Sequence, residues 1–435
     1  MSTKQTNALT RWLSQNEVLL AVFGGFVAFL TYSCMYAFRK PFTAASFEGM
    51  PEMLGLSFKS ALVISQVFGY TLSKFAGIKV VSEMGKAKRA LAILVLIGIA
   101  EIALLGFAVV PPGLKLLFMF INGIPLGMIW GLVFSYLEGR KSTEVMGVVL
   151  CASFIFASGF VKTVGGTLME SYGVAEVWMP FVTGMIFFVP LAIFVWLLNQ
   201  MPEPSAEDER LRTKREPMTG AQRSAFFKEF ALGLVALIAA YVLLTAFRDF
   251  RDNFMKEITG ALGFTDPKIF TETEVPVTLG VLGTLALLMF IKNNRFALLV
   301  NHIIIFLGIA LAGISTYLFQ AGMIGPKEWI MATGFATYAA YIPFNCLLFE
   351  RLIATYKYVS TAAFLIYLAD SFGYLGSVTV LLYKNYGQKD ISWLDFFVAG
   401  NYALSIVGGI FMLVALGYFL NKKVKGTGNE AIAKG

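Results

Sequence analysis

Twelve runs of apolar residues, each near the length that crosses a membrane, constrain the fold of this chain more than any other feature. A bilayer core of about 30 Å requires about 20 apolar residues per spanning helix. The runs lie near residues 18–38, 60–82, 89–110, 114–137, 145–168, 177–199, 229–249, 275–291, 296–318, 328–350, 357–383 and 394–420. Apolar residues make up 57% of the chain and charged residues 14%, whereas soluble domains are about 45–50% apolar. The sequence therefore predicts an all-α membrane protein with twelve transmembrane helices.

Basic residues are unevenly divided between the two sets of loops that these helices would leave. If the N-terminus is cytoplasmic, the cytoplasmic loops and tail hold most of the cations, among them Lys86, Lys88, Arg89, Arg140, Lys141, Arg210, Arg215, Arg295, Arg351, Lys422 and Lys423. Cytoplasmic loops of membrane proteins carry such an excess of Lys and Arg. We therefore expect a multi-pass protein of the plasma (inner) membrane with both termini in the cytoplasm. The first run has Lys4 and Arg11 before it and no small-residue cleavage site, so we expect a retained helix rather than a signal peptide.

One long polar stretch separates the first six runs from the last six. It mixes acidic and basic residues with prolines, which is typical of a solvated connection. We predict an N-terminal six-helix bundle over 1–200, a cytoplasmic linker over 201–227, and a C-terminal six-helix bundle with a short cytoplasmic tail over 228–435. Two such halves, related by an axis along the membrane normal, are the plan of the major facilitator fold.

The first helix of each half carries the same residues at the same spacing. Residues 32–39, YSCMYAFR, align with residues 241–248, YVLLTAFR, and share Tyr, Ala, Phe and Arg. In two parallel halves Arg39 and Arg248 would face each other across a central cavity, and arginine is suited to bidentate binding of phosphate or carboxylate. The alternative for each is a side chain that extends from a helix end to the membrane surface. The pseudo-symmetric pairing favours an anion clamp.

Other charged residues also fall inside the predicted spans, where a charge is costly unless it is paired or faces a polar cavity. Lys74 could pair with a carboxylate or contact the substrate. Asp370 lies mid-helix with no basic neighbour nearby in sequence. It could pair with Lys74 or Arg248, or it could be a protonatable coupling group. Lys162 could reach the surface or a neighbouring acid such as Glu170.

The fourth predicted helix ends in SYLEGRK, which brings Glu138 and Arg140 close to the predicted cytoplasmic surface. A salt bridge at a cytoplasmic gate is the favoured interpretation of these charges. Glu350 and Arg351 end the tenth predicted helix in the same way.

Several classes of function are disfavoured by what the sequence lacks. Cys34, Cys151 and Cys346 lie in apolar runs and match no metal spacing. There is no nucleotide-binding loop, no metal-ligand cluster and no nucleophile beside a base. The net charge of +8 comes with cations placed in loops, as in membrane proteins. We therefore expect no enzyme activity, no metal, no cofactor and no nucleic-acid partner.

Six segments carry a family resemblance in their order and spacing. They are FLTYSCMYAFRKPF in the first helix, GYTLSKFAG in the second, SEMGKAKR in the following loop, FINGIPLGMIWG in the fourth helix, LCASFIFASG in the fifth and SFGYLGS in the eleventh. Together they resemble the organophosphate:phosphate antiporters of the major facilitator superfamily, the group with the glycerol-3-phosphate and hexose-6-phosphate transporters. The resemblance implies two phosphate-binding arginines, a cavity lysine and tyrosine hydroxyls that can hydrogen-bond an oxyanion. The residues implied are Arg39, Arg248, Lys74, Tyr32, Tyr36 and Tyr241. Arg251 is the alternative to Arg248 as the arginine of the seventh helix.

The chain departs from the family pattern at several positions. Ser153 stands where the fifth helix of the family has a histidine, so Ser153 is a substrate-binding candidate, and the chain's only histidine is His302. Glu83 replaces the aspartate of the cytoplasmic loop motif and is a further gate candidate. Asp370 falls where the pattern favours a small or apolar residue, which indicates a changed coupling mechanism.

The sequence thus predicts a secondary active transporter of a small organic anion, with a phosphate ester exchanged for phosphate by alternating access. One alternative is a proton-coupled symporter of a sugar or other organic solute, in which Asp370 takes the proton. Another is a transporter-like membrane sensor that binds without flux. In each case the expected partners are the lipid bilayer, a small substrate and a phosphate or proton counter-ion, and the expected state is a monomer.

Overall fold

The computed structural model of the protein describes residues 8–82, 84–205, 208, 220–356 and 362–423. The first half contains α1 (Ala8–Ser14), α2 (Glu17–Tyr36), a 3-10 turn (Pro41–Ala44), α3 (Phe58–Ser82), α4 (Lys86–Val109), α5 (Pro112–Leu137), α6 (Thr143–Tyr172) and α7 (Met179–Leu198). The second half contains α8 (Gly220–Asn253), α9 (Met255–Ala261), α10 (Lys268–Met289), α11 (Asn294–Gln320), α12 (Pro326–Cys346), α13 (Leu348–Tyr356), α14 (Ala362–Leu382) and α15 (Trp393–Asn421). About half of the predicted linker, namely residues 206–207 and 209–219, falls outside the described residues.

All twelve predicted spans coincide with helices, namely α2 to α7, α8, α10, α11, α12, α14 and α15. In the described parts of the chain, nine helices are long and apolar enough to cross a membrane. The other three, α3, α10 and α12, carry interior polar residues such as Lys74, Glu274 and Asn345, which are buried rather than exposed to lipid. A helix that faces a polar interior does not need an apolar surface all round. The prediction of an all-α, multi-pass membrane protein is confirmed.

The two halves meet through two helix pairs that correspond to each other by pseudo-symmetry. The fifth span of the first half, α6, packs on the second span of the second half, α10. Conversely, the second span of the first half, α3, packs on the fifth span of the second half, α14. A pseudo-twofold axis between equivalent bundles produces this exchange of partners.

Glycines allow α3 and α5 to cross in backbone contact. A Cβ atom added at Gly123 of α5 would lie 2.2 Å from the Gln66 carbonyl oxygen and 2.9 Å from the Tyr70 nitrogen, both on α3. One turn further on, a Cβ atom at Gly127 would lie 2.7 Å from the Tyr70 carbonyl oxygen. Small residues at this spacing let helix backbones approach closely in membranes. The crossing fixes α3, and therefore Lys74, against the rest of its bundle.

Replacing Gly123 by alanine is expected to destabilise the protein by about 1–3 kcal/mol, the usual cost of overpacking. The methyl group would meet the backbone of α3, which cannot move aside as a flexible side chain can. Gly98→Ala in α4 is the matched control, because a Cβ there meets nothing within 4 Å, and alanine gains about 1 kcal/mol in helix propensity over glycine. The thermal unfolding midpoints in detergent test this. Equal midpoints for both variants would contradict the close crossing.

Candidate functional site

A cavity lies between the two halves. Helices α2, α3, α5 and α6 line it from the first half, and α8, α12 and α14 line it from the second. Its lining residues are Tyr32, Tyr36, Arg39, Tyr70, Lys74, Trp130, Phe154, Arg248, Tyr341, Asn345, Asp370 and Tyr374. Six of these are sequence-predicted site residues: Tyr32, Tyr36, Arg39, Lys74, Arg248 and Asp370. The structure thus brings half of the predicted site residues together at one cavity.

Arg39 is a buried cation for which the described residues supply no anionic partner. Its side chain is 6% exposed, and no carboxylate within the described ranges pairs with it. The guanidinium lies 4.0 Å from the ring centroid of Tyr70 and 6.0 Å from that of Tyr36. Its Nε atom is buried and has no hydrogen-bond partner among the described residues. Cation–π contacts with these two rings therefore help to hold this charge beside the cavity.

The backbone that carries Arg39 is anchored by two buried amides. Helix α2 ends at Tyr36, and Pro41 prevents its continuation because proline lacks an N–H. Asn122 Nδ2 donates to the Phe38 carbonyl at 3.1 Å, and Gln66 Nε2 donates to the Arg39 carbonyl at 3.0 Å and to Asn122 Oδ1 at 2.7 Å. These bonds satisfy carbonyls at the helix end and fix the direction of Arg39. Neither Gln66 nor Asn122 is among the site residues that the sequence predicts.

Arg248 differs from Arg39 in both its backbone and its charge environment. The sequence predicted that the seventh span ends near residue 249, but α8 continues as a helix to Asn253. Arg248 Nη2 lies 2.6 Å from Asp249 Oδ1, and Ser377 Oγ donates to Asp249 Oδ2 at 3.0 Å. The guanidinium lies 4.0 Å from the ring centroid of Tyr341. Each arginine therefore stacks on a tyrosine, but among the described residues only Arg248 has a carboxylate partner.

Lys74 and Asp370 form an ion pair across the cavity, between α3 and α14. Lys74 Nζ lies 3.1 Å from Asp370 Oδ2, and both side chains are nearly fully buried. Tyr241 donates its hydroxyl hydrogen to Asp370 Oδ1, and Asn345 Nδ2 donates to the Tyr241 hydroxyl oxygen at 3.4 Å. Tyr241 thus contacts the site through Asp370 rather than as a lining residue. Of the alternatives for Lys74 and Asp370, the ion pair is present, and both residues also face the cavity.

Two further predicted substrate-binding residues, Arg251 and Ser153, are absent from the cavity lining. Arg251 is 2% exposed and pairs with Glu274 Oε1 at 2.6 Å, and its Nη2 donates to the Ile330 carbonyl at 3.0 Å. It therefore links α8, α10 and α12 within the second half. Ser153 is buried in α6 and donates to the Leu150 carbonyl of its own helix at 2.5 Å. Its neighbour Phe154 is the residue of this segment that lines the cavity.

Two of the predicted gate residues, Arg140 and Glu138, lie at one end of the helices. Arg140 is buried and its Nη2 donates to the Pro202 carbonyl, so it ties the loop after α5 to the segment after α7. Glu138 caps the end of α5. Glu83 lies outside the described residues. At this end the two halves are joined by Arg351 Nη2 and Glu144 Oε2, which lie 3.0 Å apart.

A second buried charge cluster joins the halves at the opposite end, and it was not predicted. Asp252 of α8 lies 2.5 Å from Lys40 Nζ and 2.7 Å from Lys162 Nζ, and all three side chains are buried. Ser158 donates to Asp252 Oδ1, and Lys40 Nζ also donates to Asn253 Oδ1 at 2.7 Å. These five residues are called the Asp252 cluster. The predicted partner of Lys162, Glu170, instead lies 3.9 Å from Lys256 at the surface.

The architecture is similar to that of solved secondary transporters. A peptide transporter in complex with sulfate gives a TM-score of 0.60 at 13% identity, over 92% of this chain and 94% of that chain. A D-xylose-proton symporter gives 0.58 at 16% identity, over 92% and 97%. The nucleoside transporter NupG gives 0.57 at 16% identity, over 91% and 99%. At these identities the likeness shows the fold, and it confirms the predicted major facilitator architecture.

Comparison by sequence gives a separate result. No curated protein is similar to this chain in sequence, and the organophosphate:phosphate antiporter resemblance is therefore not confirmed. One family matches residues 41–422, which include every residue that lines the cavity except Tyr32, Tyr36 and Arg39. Its description is "Family of unknown function (DUF5690)". Since the match spans most of the 435 residues, the chain belongs to the DUF5690 family.

Proposed function

We propose that the protein is a secondary active transporter of a small organic anion, with a phosphate ester exchanged for phosphate as the specific reaction. The observation that carries the proposal is Arg39. A buried cation without an anionic partner is costly, and this one faces a cavity that also holds Arg248 and Lys74. A bound anion would supply the missing charge, and the forked guanidinium suits a phosphate or carboxylate group.

Transport by alternating access is supported by the way in which the halves meet. They are joined at one end by the Asp252 cluster and at the other by Arg351 and Glu144, with the cavity between. In transporters of this fold, one half rocks against the other around a fixed central site. Breaking one set of contacts at a time would expose the cavity to one side of the membrane and then to the other. On this proposal the reaction needs no enzyme chemistry and no cofactor.

The loop charges support a plasma (inner) membrane location with both termini cytoplasmic. The Arg351 end would then face the cytoplasm and the Asp252 cluster the opposite side. A monomer suffices for this mechanism, because the cavity is formed by the two halves of one chain.

The second candidate is proton-coupled symport of a sugar or other organic solute. It is favoured by Asp370, a buried carboxylate at the cavity whose ion pair with Lys74 could open on protonation. A membrane sensor with the same binding site is the third candidate. Uptake of an uncharged sugar that follows a pH gradient would distinguish the symporter, and binding without flux would distinguish the sensor.

The first test is the thermal stability of the detergent-purified protein against phosphate, glycerol 3-phosphate, sugar phosphates and neutral sugars. A ligand that binds only the folded state raises the unfolding midpoint, and at a concentration of 100 times Kd it stabilises by about 2.7 kcal/mol. We expect a phosphorylated compound to raise the midpoint, and phosphate-loaded proteoliposomes to accumulate it. Stabilisation by uncharged sugars alone would contradict anion binding.

A further inference from the structure

The charged groups at the cavity have a net charge of one positive unit. The cations are Arg39, Arg248 and Lys74, and the anions are Asp370 on the lining and Asp249 beside Arg248. Two cations are therefore paired, Arg248 with Asp249 and Lys74 with Asp370. Only the charge of Arg39 is left for a ligand. This count matters because charges inside a membrane protein must be closely balanced.

A phosphate ester carries more negative charge than this arrangement can balance. Above its second pKa of about 6 the group has a charge of nearly −2. Arg39 can balance one unit, and a second cation must balance the other. Arg248 is the less available, because Asp249 is held by Ser377 as well as by the 2.6 Å contact with the guanidinium. Lys74 is the more available, since it lines the cavity on a flexible stem and contacts Asp370 at 3.1 Å.

Movement of Lys74 to the ligand would leave Asp370 without its cation. The side chains that face Asp370 are Lys74 and Tyr70 from α3, Tyr241 from α8, Tyr341 from α12, and Tyr367 and Tyr374 from α14. Lys74 is the only cation among them, and Arg39 and Arg248 lie elsewhere on the same cavity. Asp370 is 4% exposed, so water cannot replace the lost ion pair. A proton on the carboxyl group removes this unbalanced charge.

Building on the proposed function, we propose that each doubly charged phosphate ester binds together with one proton, which Asp370 takes up as Lys74 turns from its carboxylate to the ligand. The charges then balance. The empty site has one positive unit, the ester brings two negative units, and the proton adds one positive unit, so the occupied site is neutral. The proton comes from the aqueous phase, and the Tyr241 hydroxyl remains a hydrogen-bond partner of the protonated carboxyl group.

The test counts the protons that bind with the ligand. Glycerol 3-phosphate is titrated into the purified protein at about pH 8, where the ester is doubly charged, in two phosphate-free buffers with different ionisation enthalpies. The dependence of the calorimetric heat on the buffer gives the number of protons taken up. We expect about one proton per ligand for the native chain and none for Asp370→Asn, whose carboxamide is permanently neutral. Asp266→Asn is the matched control, because this exposed carboxylate lies in a loop, and it should keep the uptake of one proton.

The outcomes separate the inference from the proposed function. Binding to the native chain without proton uptake overturns the inference and leaves anion transport standing. Proton uptake that persists in Asp370→Asn overturns the assignment to Asp370. If Asp370→Asn does not fold because Lys74 is left buried alone, the double variant Lys74→Gln, Asp370→Asn removes both charges and should bind more weakly with no proton uptake. If no phosphate ester or phosphate binds at all, the proposed function fails and the inference fails with it.

Discussion

Replacing Arg39 by methionine is expected to weaken binding of a phosphorylated ligand by roughly 30- to 4,000-fold. Removing one partner of a buried, hydrogen-bonded charge pair costs about 2–5 kcal/mol, and every 1.4 kcal/mol is tenfold in affinity. Arg39→Lys should lose less, because the charge stays but the fork that binds two oxyanion atoms is lost. Isothermal titration with glycerol 3-phosphate measures both variants against the native chain.

Arg39→Met should leave the ligand-free protein nearly as stable as the native chain. No carboxylate in the described residues pairs with Arg39, so its removal leaves no buried anion alone. The lost contact with the Tyr70 ring is offset by the relief of a buried, unpaired charge. A binding role therefore predicts a large change in affinity and a small change in the unfolding midpoint.

Arg251→Met is the matched control, because it makes the same chemical change at another buried arginine. Here the substitution leaves Glu274 buried without its cation, which costs about 3–5 kcal/mol of stability. The folded fraction should bind ligand as the native chain does, since Arg251 does not line the cavity. If Arg39→Met lost stability and kept its affinity, as expected for Arg251→Met, the anion-binding role of Arg39 would be wrong.

The fold was predictable because hydropathy alone determines where helices can cross a bilayer. Every predicted span coincides with a helix, including the eighth, whose apolar run is short. The residues at which the helices begin and end were less predictable. Helix α8 passes through Arg248 to Asn253 because the polar residues at its end are buried among other helices. In the sequence, these polar residues suggest that the membrane-spanning segment ends there. In the structure they are buried by packing against other helices.

The site was predictable where charge marked it and, for Tyr32 and Tyr36, where the family resemblance implied it. Arg39, Arg248, Lys74 and Asp370 stood out as costly charges in apolar runs, and all four line the cavity. Six neutral lining residues did not stand out. Five of them are aromatic residues, which are common in membrane helices, and the sixth, Asn345, carries no charge. They are Tyr70, Trp130, Phe154, Tyr341, Asn345 and Tyr374. One usable signal was the spacing of four, which places two residues on the same helix face. The pairs at this spacing are Tyr32 and Tyr36, Tyr70 and Lys74, Tyr341 and Asn345, and Asp370 and Tyr374.

Pairing between distant charges could not be predicted from local sequence. Lys162 was expected to reach the surface or Glu170, eight positions away, but it pairs with Asp252, and 90 positions separate these two residues. Nearness in sequence carries little information here, because α6 packs on the second half of the chain. The partner of a buried cation depends on the arrangement of the two bundles.

Replacing Asp252 by asparagine is expected to cost the closed arrangement about 3–5 kcal/mol, because it leaves Lys40 and Lys162 buried without an anion. The two side chains are 3% and 2% exposed, so water cannot compensate. Glu170→Gln is the matched control, since this carboxylate is half exposed and lies 3.9 Å from Lys256. Exposed pairs contribute about 0–1 kcal/mol. Thermal unfolding of both variants in detergent gives the comparison.

The size of the stability loss in Asp252→Asn distinguishes a transporter, whose halves can separate, from a rigid bundle. If the halves separate at the Asp252 cluster during alternating access, opening lets water reach both lysines. The unfolding midpoint of Asp252→Asn then falls by less than the full cost, and a cysteine introduced as Thr163→Cys reacts faster with maleimide than in the chain that retains Asp252. Thr163 reports on this end because it contacts Thr271 across the two halves at 2.7 Å. A rigid bundle would show the full loss of stability and an unchanged reaction rate, and that result would contradict alternating access at this end.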